Sequence, residues 1–303
     1  MMLGVRTQPS PRRRYDATAY RCARVVLADY STSFSAGTRL LDARTRAYVE
    51  SIYALVRIAD EIVDTFAAQG PASPGQSRDQ LEALRTETEA ALERGWSTNV
   101  IVHAFVLTAA RVGITRAETD PFFASMAMDL DVRDHDRASY ERYVYGSAEV
   151  VGLMCLRAFL TAGRPAGAAA LEPDDDALTG ARALGAAFQK VNFLRDLGDD
   201  AGRLGRDYFP AAHGGVLDHG ALLEILDEIE EDLALARDAL AALPPRPRAA
   251  VTVTLELYTE LFDTLSAMTP EEIRATRVRV PDVRKALVAG RAMSRSWLAD
   301  HRD

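Results

Sequence analysis

Apolar positions recur at three- and four-residue spacing along most of the chain, and the strict alternation that marks strands is nearly absent. The pattern predicts helices throughout. One runs from about Arg39 through Asp64, with Leu40, Val49, Ile52, Tyr53, Val56 and Val63 among its buried positions. Further helical segments fit 78–94, 99–112, 116–130, 138–163, 174–201, 222–240, 247–268 and 281–299. Turn-forming composition separates them: GPASPGQS at 70–77, GRPAG at 163–167, the glycine-rich 202–220, and Leu243-Pro244-Pro245. Residues 1–15 read as a loose tail. No repeat or linker divides the rest, so the expectation is one all-α domain over 16–303.

Composition narrows the function classes. Apolar residues at 48% and charged residues at 26% are the mix of a folded globular chain, which excludes disorder. No stretch approaches the ~18 uninterrupted apolar residues of a spanning helix; the longest candidate is Val150 to Leu156. A net charge of −8 argues against nucleic acid as a partner. The basic run Pro11-Arg12-Arg13-Arg14 suits a solvated tail, with peripheral contact at an anionic membrane as the alternative. Two cysteines, Cys22 and Cys155, make no disulfide framework and fit a reducing cytoplasm. Scattered histidines offer no zinc spacing, so any metal is expected to be a hard, oxygen-liganded one.

Two acidic segments carry candidate chemistry. In VRIADEIVDTF, Asp60 and Asp64 stand one helical turn apart, with Arg57 on the same face. In QKVNFLRDLGDD, Asn192, Asp196 and Asp200 form one stripe of oxygen ligands. Like charges one turn apart destabilise a helix unless something offsets them. Magnesium does so with one or two carboxylates, waters and substrate phosphate oxygens. Two such stripes, with Arg57, Arg195 and Arg206 nearby, describe a cage for Mg²⁺ and a diphosphate. The same spacing also marks a solvated helix face. Glu224, Asp227, Glu228 and Glu231 lie opposite a Leu/Ile stripe and read that way, while Asp174, Asp175 and Asp176 suit the first turn of a helix.

DEIVD (60–64), NFLRDLGDD (192–200) and GRDYFP (205–210) resemble the aspartate-rich motifs of the squalene/phytoene synthase family. YSTSFSAGTRLL (30–41), YVYGSAEVVG (143–152), LGAAFQKVNFLRD (184–196) and RVRVPDVRK (277–285) resemble further family segments in the same order, from about residue 18 to 290. The resemblance implies an isoprenoid synthase bundle with a central cavity. It implies head-to-head joining of two allylic prenyl diphosphates through a cyclopropyl-carbinyl diphosphate. It implies Mg²⁺, with Mn²⁺ able to replace it, and, for a phytoene synthase on two C20 substrates, no NADPH. Squalene or dehydrosqualene synthase on C15 substrates is the alternative, and a non-catalytic assembly factor on the same fold a remote one. Carried over by position, Ser31, Ser33, Phe34 and Arg57 match substrate-binding positions. Asp60, Asp64, Asn192, Asp196 and Asp200 match the metal and diphosphate set. Tyr143, Gln189, Arg195, Tyr208, Tyr258 and Arg277 match other pocket positions, Tyr143 as a cation-stabilising or proton-guiding group.

Small residues at Ala148, Gly152, Gly185, Ala186 and Ala187 would leave room for polyprenyl tails, with Phe34, Phe188 and Phe193 as walls. Two positions depart from the family wording. Glu149 replaces a common glycine and is expected to point outward or toward Arg157, and Asp199 replaces a common glutamate.

Overall fold

The computed structural model describes residues 10–67, 73–165, 167–169, 171–199, 208–212, 217–278 and 290, without the side chains of Thr32, Ser33, Pro74 and Asp199. Its helices are α1 (Pro11–Tyr30), α2 (Thr32–Thr38), α3 (Ala43–Asp60), α4 (Pro74–Arg94), α5 (Val100–Val112), α6 (Arg116–Asp131), α7 (Arg137–Val144), α8 (Val150–Phe159), α9 (Asp175–Asp199), α10 (His219–Asp238), α11 (Pro245–Ser266) and α12 (Pro270–Ala275). The all-α expectation holds. The expected helix at 281–299 lies outside the described residues except for Gly290.

Local chemistry sets the boundaries. Asp42 caps α3, its Oδ1 accepting from the amides of Arg44 and Thr45 at 3.1 and 3.2 Å. Asp174 Oδ1 accepts from the Ala177 amide at 2.8 Å, so the acidic run 174–176 does open α9. Pro245, read as a terminator, occupies the first turn of α11, where a missing N–H costs nothing.

The tail is shorter than expected, because α1 begins at Pro11. Ser10 is its N-cap and Pro11 its first residue, a start signal present in the sequence. Its buried stripe, Ala19, Ala23 and Leu27, is too weakly apolar to stand out as periodicity. Two contacts fix it to α5 and the loop before it. The Tyr15 hydroxyl donates to the carbonyls of Ser97 and Thr98, and Asp16 lies 2.8 Å from His103 Nε2.

The expected single helix over 138–163 is broken by a π turn, Tyr145–Glu149, and a second π turn, Glu61–Phe66, continues α3. Such turns are frequent at functional sites. At the first, a Cβ on Gly146 would stand 2.2 Å from the Pro121 carbonyl oxygen, so glycine lets the turn press against α6.

Two cores flank the interior. One joins α1, α3, α4, α5, α6 and α8, with Phe105, Phe122, Ile52 and Leu55 fully buried. The other joins α7, α9, α10, α11 and α12 around Leu194, Leu222, Ile229 and Leu265. α10 corrects one reading. Glu224, Asp227 and Glu231 are exposed as expected, but Glu228 is only partly so. It pairs with Arg137, and its Oε2 lies 3.2 Å from Lys190 Nζ, which is also 2.9 Å from Asp232. Lys190 sits on α9 with its side chain 11% exposed, and a largely buried ammonium requires carboxylates from the neighbouring helix.

Candidate active site

Between the two cores lies a cavity of about 1350 Å³. Its wall follows α9 from Ala177 to Asp196, ~28 Å at the helical rise. At one end stand Asp60, Asp64, Asn192 and Asp196 with Arg57, Arg195 and Arg277. The other end is hydrocarbon: Leu156, Ala177, Leu243 and Val251 pack together there, with Phe159 and Leu240 against them. Ser31, Phe34, Gln189 and Tyr258, all expected at the site, also line it. Asp200, Arg206 and the Ser33 side chain lie outside the described residues.

The two carboxylate groups differ electrostatically. Asp60 ends α3 and Asp64 sits in the π turn after it. Burial, and then the charge of Asp64, push the Asp60 carboxyl well above the usual range, and Arg57 only partly opposes them. Arg57 is itself committed: it pairs with Glu61, and its guanidinium lies 4.4 Å over the Tyr30 ring. Burial would raise Asp196 as well, but the hydrogen bond from Arg195 and the charges of Arg195 and Arg277 hold it below its ordinary value. Arg195 Nε donates to Asp196 Oδ1 at 2.9 Å and Arg277 Nε to the same oxygen at 2.8 Å. Asn192 Oδ1 is buried without a hydrogen-bond partner.

Among the described residues no group of three or more His, Cys, Asp or Glu side chains is placed to hold a metal. The donor set nonetheless suits Mg²⁺, which takes few carboxylates and completes its shell with water and phosphate. An under-compensated Asp60 beside Asp64 calls for a cation, and the orphaned Asn192 Oδ1 is a hard oxygen donor.

Beyond the polar end the wall is aromatic. Phe34 lies 6.1 Å from the Tyr53 ring and 6.0 Å from Phe188, and Phe188 stacks on Tyr258 at 3.8 Å. These rings present π faces, which attract cations. Tyr53 was noted only as a core position; burial pushes its hydroxyl up to about 12.

Of the small residues, Ala148, Gly152 and Gly185 line the cavity. The glycines mainly let helices meet: a Cβ on Gly152 would stand 2.2 Å from the Ala181 carbonyl oxygen, and one on Gly185 2.4 Å from that of Ala148. Ala186 and Ala187 face away, into the second core, because the helical period carries them past the cavity side of α9.

Tyr143, Tyr208 and Phe193 are placed behind the wall. The Tyr143 hydroxyl donates to Asp129 Oδ2 at 2.8 Å and the Tyr208 hydroxyl to Asp129 Oδ1 at 3.1 Å, with Phe193 stacked on Tyr208 at 4.1 Å. Burial, then the Asp129 charge, keep the Tyr143 hydroxyl protonated. Asp129 carried no sequence signal: it is a lone carboxylate beside Asp131 on an acidic helix end. Of the two expected orientations of Glu149, that toward Arg157 does not occur, because Arg157 pairs with Glu118 at 2.9 Å; Glu149 turns to the exposed Arg182, at 2.6 Å, and is not among the residues that line the cavity.

A helical bundle enclosing an apolar cavity, capped at one end by carboxylates and arginines, is the arrangement of the isoprenoid synthase fold. Across 96% of this chain it superposes on all of a dehydrosqualene synthase crystal structure with TM-score 0.75 at 19% identity. The family model for squalene/phytoene synthase matches residues 27–284, and the chain belongs to that family. It is 30% identical to the 15-cis-phytoene synthase of Paracoccus sp. (strain N81106 / MBIC 01143), covering 75% of this chain and 76% of the relative. It is 28% identical to the 4,4'-diapophytoene synthase of Staphylococcus haemolyticus (strain JCSC1435), covering 70% and 68%. The chain is thus of the prenyltransferase type. No described helix is long and apolar enough to cross a membrane.

Proposed function

We propose that the protein joins two geranylgeranyl diphosphates head to head to give phytoene, dependent on Mg²⁺ and without NADPH. The length of the apolar wall carries the choice of C20. From Asn192 to Ala177 the cavity follows α9 for ~22 Å. At ~1.5 Å per carbon–carbon bond an isoprene unit spans about 5 Å, so a C20 chain asks for about 20 Å and a C15 chain about 15 Å.

Asp60, Asp64, Asn192 and Asp196 would hold the metal, which supplies charge neutralisation for the departing diphosphate. Arg57, Arg195 and Arg277 bind phosphate oxygens in charge-assisted hydrogen bonds. The C1–O bond of the first substrate breaks with its electron pair on the diphosphate, and the allylic cation attacks the double bond of the second. Phe34, Tyr53, Phe188 and Tyr258 face the cation with π density and exclude water. Loss of a proton then closes the cyclopropyl-carbinyl diphosphate, its C–O bond breaks to release the second diphosphate, and rearrangement with loss of a second proton gives the linear product.

The deciding experiment is incubation of the purified protein with C15 or C20 diphosphate, with and without Mg²⁺ and NADPH, and product identification. Phytoene from C20 with Mg²⁺ alone is expected. A preference for C15, or squalene only with NADPH, would replace this reading by that of a C15 synthase.

A further inference from the structure

Exposure shows where the cavity opens. Among the described residues that line it, only Asp29, Tyr30 and Arg277 are exposed, and all three belong to the carboxylate end. Two rings stand in water at this opening: Tyr30, 52% exposed over Arg57, and Phe66, 49% exposed two residues after Asp64.

The helix that ends at the opening carries a basic outer face. Opposite its buried Ala19, Ala23 and Leu27, α1 presents Arg14, Ala17, Arg21, Arg24, Val25 and Ala28, spaced by three and four residues and all exposed, with Arg13 beside them. Val25 is 58% exposed, and Asp29, one turn on, continues this face to the rim of the cavity. The arginine stripe ends ~9 Å along the helix from Tyr30. The face exists only because α1 starts at Pro11, which turns the basic run of the sequence into one side of a helix. Arg21 donates to Thr18 at 2.8 Å, and Arg13, Arg14 and Arg21 form no ion pair among the described residues. Arg24 has the charge of the buried Glu50 near it.

Charge is divided across the molecule. α1 holds five arginines against Asp16 and Asp29, and Asp16 is turned to His103. α10, in the core on the other side of the cavity, holds seven carboxylates against Arg237. In a chain of net charge −8 such a positive helix is a local feature, so the field orients the molecule with α1 toward an anionic surface and α10 away from it. Ala17 and Ala28 let the arginines approach that surface closely. Val25, Tyr30 and Phe66 suit the boundary of headgroups and acyl chains, where aromatic rings are favoured and where nucleic acid offers nothing comparable.

We propose that the outer face of α1, together with the rings of Tyr30 and Phe66, docks the protein on an anionic lipid bilayer and brings the cavity opening to the headgroup layer. The choice of a bilayer rests on the function proposed above: a prenyl diphosphate holds its alkyl chain among the lipid tails and its diphosphate at the headgroups, so the opening receives it at that layer.

The test is co-sedimentation of the full chain, without substrate, with vesicles of phosphatidylcholine alone or mixed with phosphatidylserine. Binding is expected to the mixed vesicles only, and to weaken with salt as the screening length shortens. Arg13→Gln/Arg14→Gln/Arg21→Gln should reduce that partitioning about a hundredfold, at about fivefold for each arginine near an anionic surface. None of the three holds a buried partner, so the melting temperature and the turnover of detergent-dispersed substrate should match the wild type, while turnover of vesicle-borne substrate falls. Equal partitioning of variant and wild type, equal binding to both kinds of vesicle, or tighter binding to duplex DNA than to the mixed vesicles would overturn the proposal and leave the functional reading standing. A wild type that docks as expected but turns over neither C15 nor C20 diphosphate would overturn the functional reading and leave the docking face.

Discussion

Arg277 donates from Nε to Asp196 Oδ1 at 2.8 Å across a sequence separation of 81 residues, joining the segment after α12 to the polar end of α9. Arg195 holds the same carboxylate from its own helix. The second acidic stripe is thus charge-compensated, whereas the first is not. A diphosphate entering between them offers both arginines a better-matched acceptor. Arg277→Ala is therefore expected to raise KM for a prenyl diphosphate by about tenfold, with a smaller change in kcat. Steady-state kinetics on C15 and C20 substrates would show it, and an unchanged KM would remove Arg277 from the diphosphate contacts.

Asp60 gives a prediction in which stability and activity move in opposite directions. Its folded carboxyl titrates above its unfolded value, through burial and the charge of Asp64. Such a group binds more protons folded than unfolded, so it lowers stability as pH rises above the unfolded value near 4. At neutral pH and without divalent cation, Asp60→Asn should melt at a higher temperature than the wild type. Added Mg²⁺ should stabilise the wild type and leave the variant unmoved. Turnover should fall by at least ~10²-fold, the scale of one major electrostatic contributor, and Asp196→Ala should match that loss. Normal turnover in a folded Asp60→Ala/Asp196→Ala variant would remove these motifs from the chemistry.

Glu228 gives the opposite sign. Burial raises its carboxyl, but the hydrogen bond from Arg137 and the charge of Lys190 outweigh it and hold the group below its ordinary value. A depressed carboxyl contributes stability above its unfolded value, near 4.3, and that stability is lost as pH falls through the folded value. Glu228→Ala should cost about 1–3 kcal/mol at pH 7 by leaving Lys190 short of a partner, with the gap to wild type closing in acid. Its specific activity should stay at the wild-type level, because Glu228 does not line the cavity. Urea titrations at several pH values and one activity assay check both halves.

Legibility in the sequence followed the size of each signal. The helices with large apolar stripes, such as α5 and α10, are placed to within about three residues, and of the two acidic motifs Asp60, Asp64, Asn192 and Asp196 come to one cavity end. α1 was missed because alanines make its buried stripe. The two π turns were missed because a single inserted residue scarcely alters the apolar period. Asp129 was invisible because its partners, Tyr143 and Tyr208, come from elsewhere in the chain. The direction of Ala186 could not be told from that of Gly185, since adjacent residues on a helix differ by about 100° and the stripe alone does not say which neighbour they face.

The last prediction concerns chain length and uses Ala181. This residue lines the cavity on α9, eleven residues before Asn192 and thus ~16 Å below it. A C15 chain of about 15 Å ends at that level, and a C20 chain of about 20 Å must pass it. Ala181→Phe places a ring in the empty channel, so it should spare the fold while closing the deeper portion toward Leu156, Leu243 and Val251. Forcing a C20 chain against the ring costs about 1–3 kcal/mol of overpacking, so C20 turnover should fall relative to C15 by about tenfold or more. Ala186→Phe is the control: Ala186 is 4% exposed in the second core, so a ring there should lower the melting temperature without reversing the C20-to-C15 preference. Competition assays with equal C15 and C20 diphosphates, read by chromatography of the products, separate the two. An unaltered product ratio in Ala181→Phe would mean that the chains do not run down α9, and the length argument for C20 would fall with it.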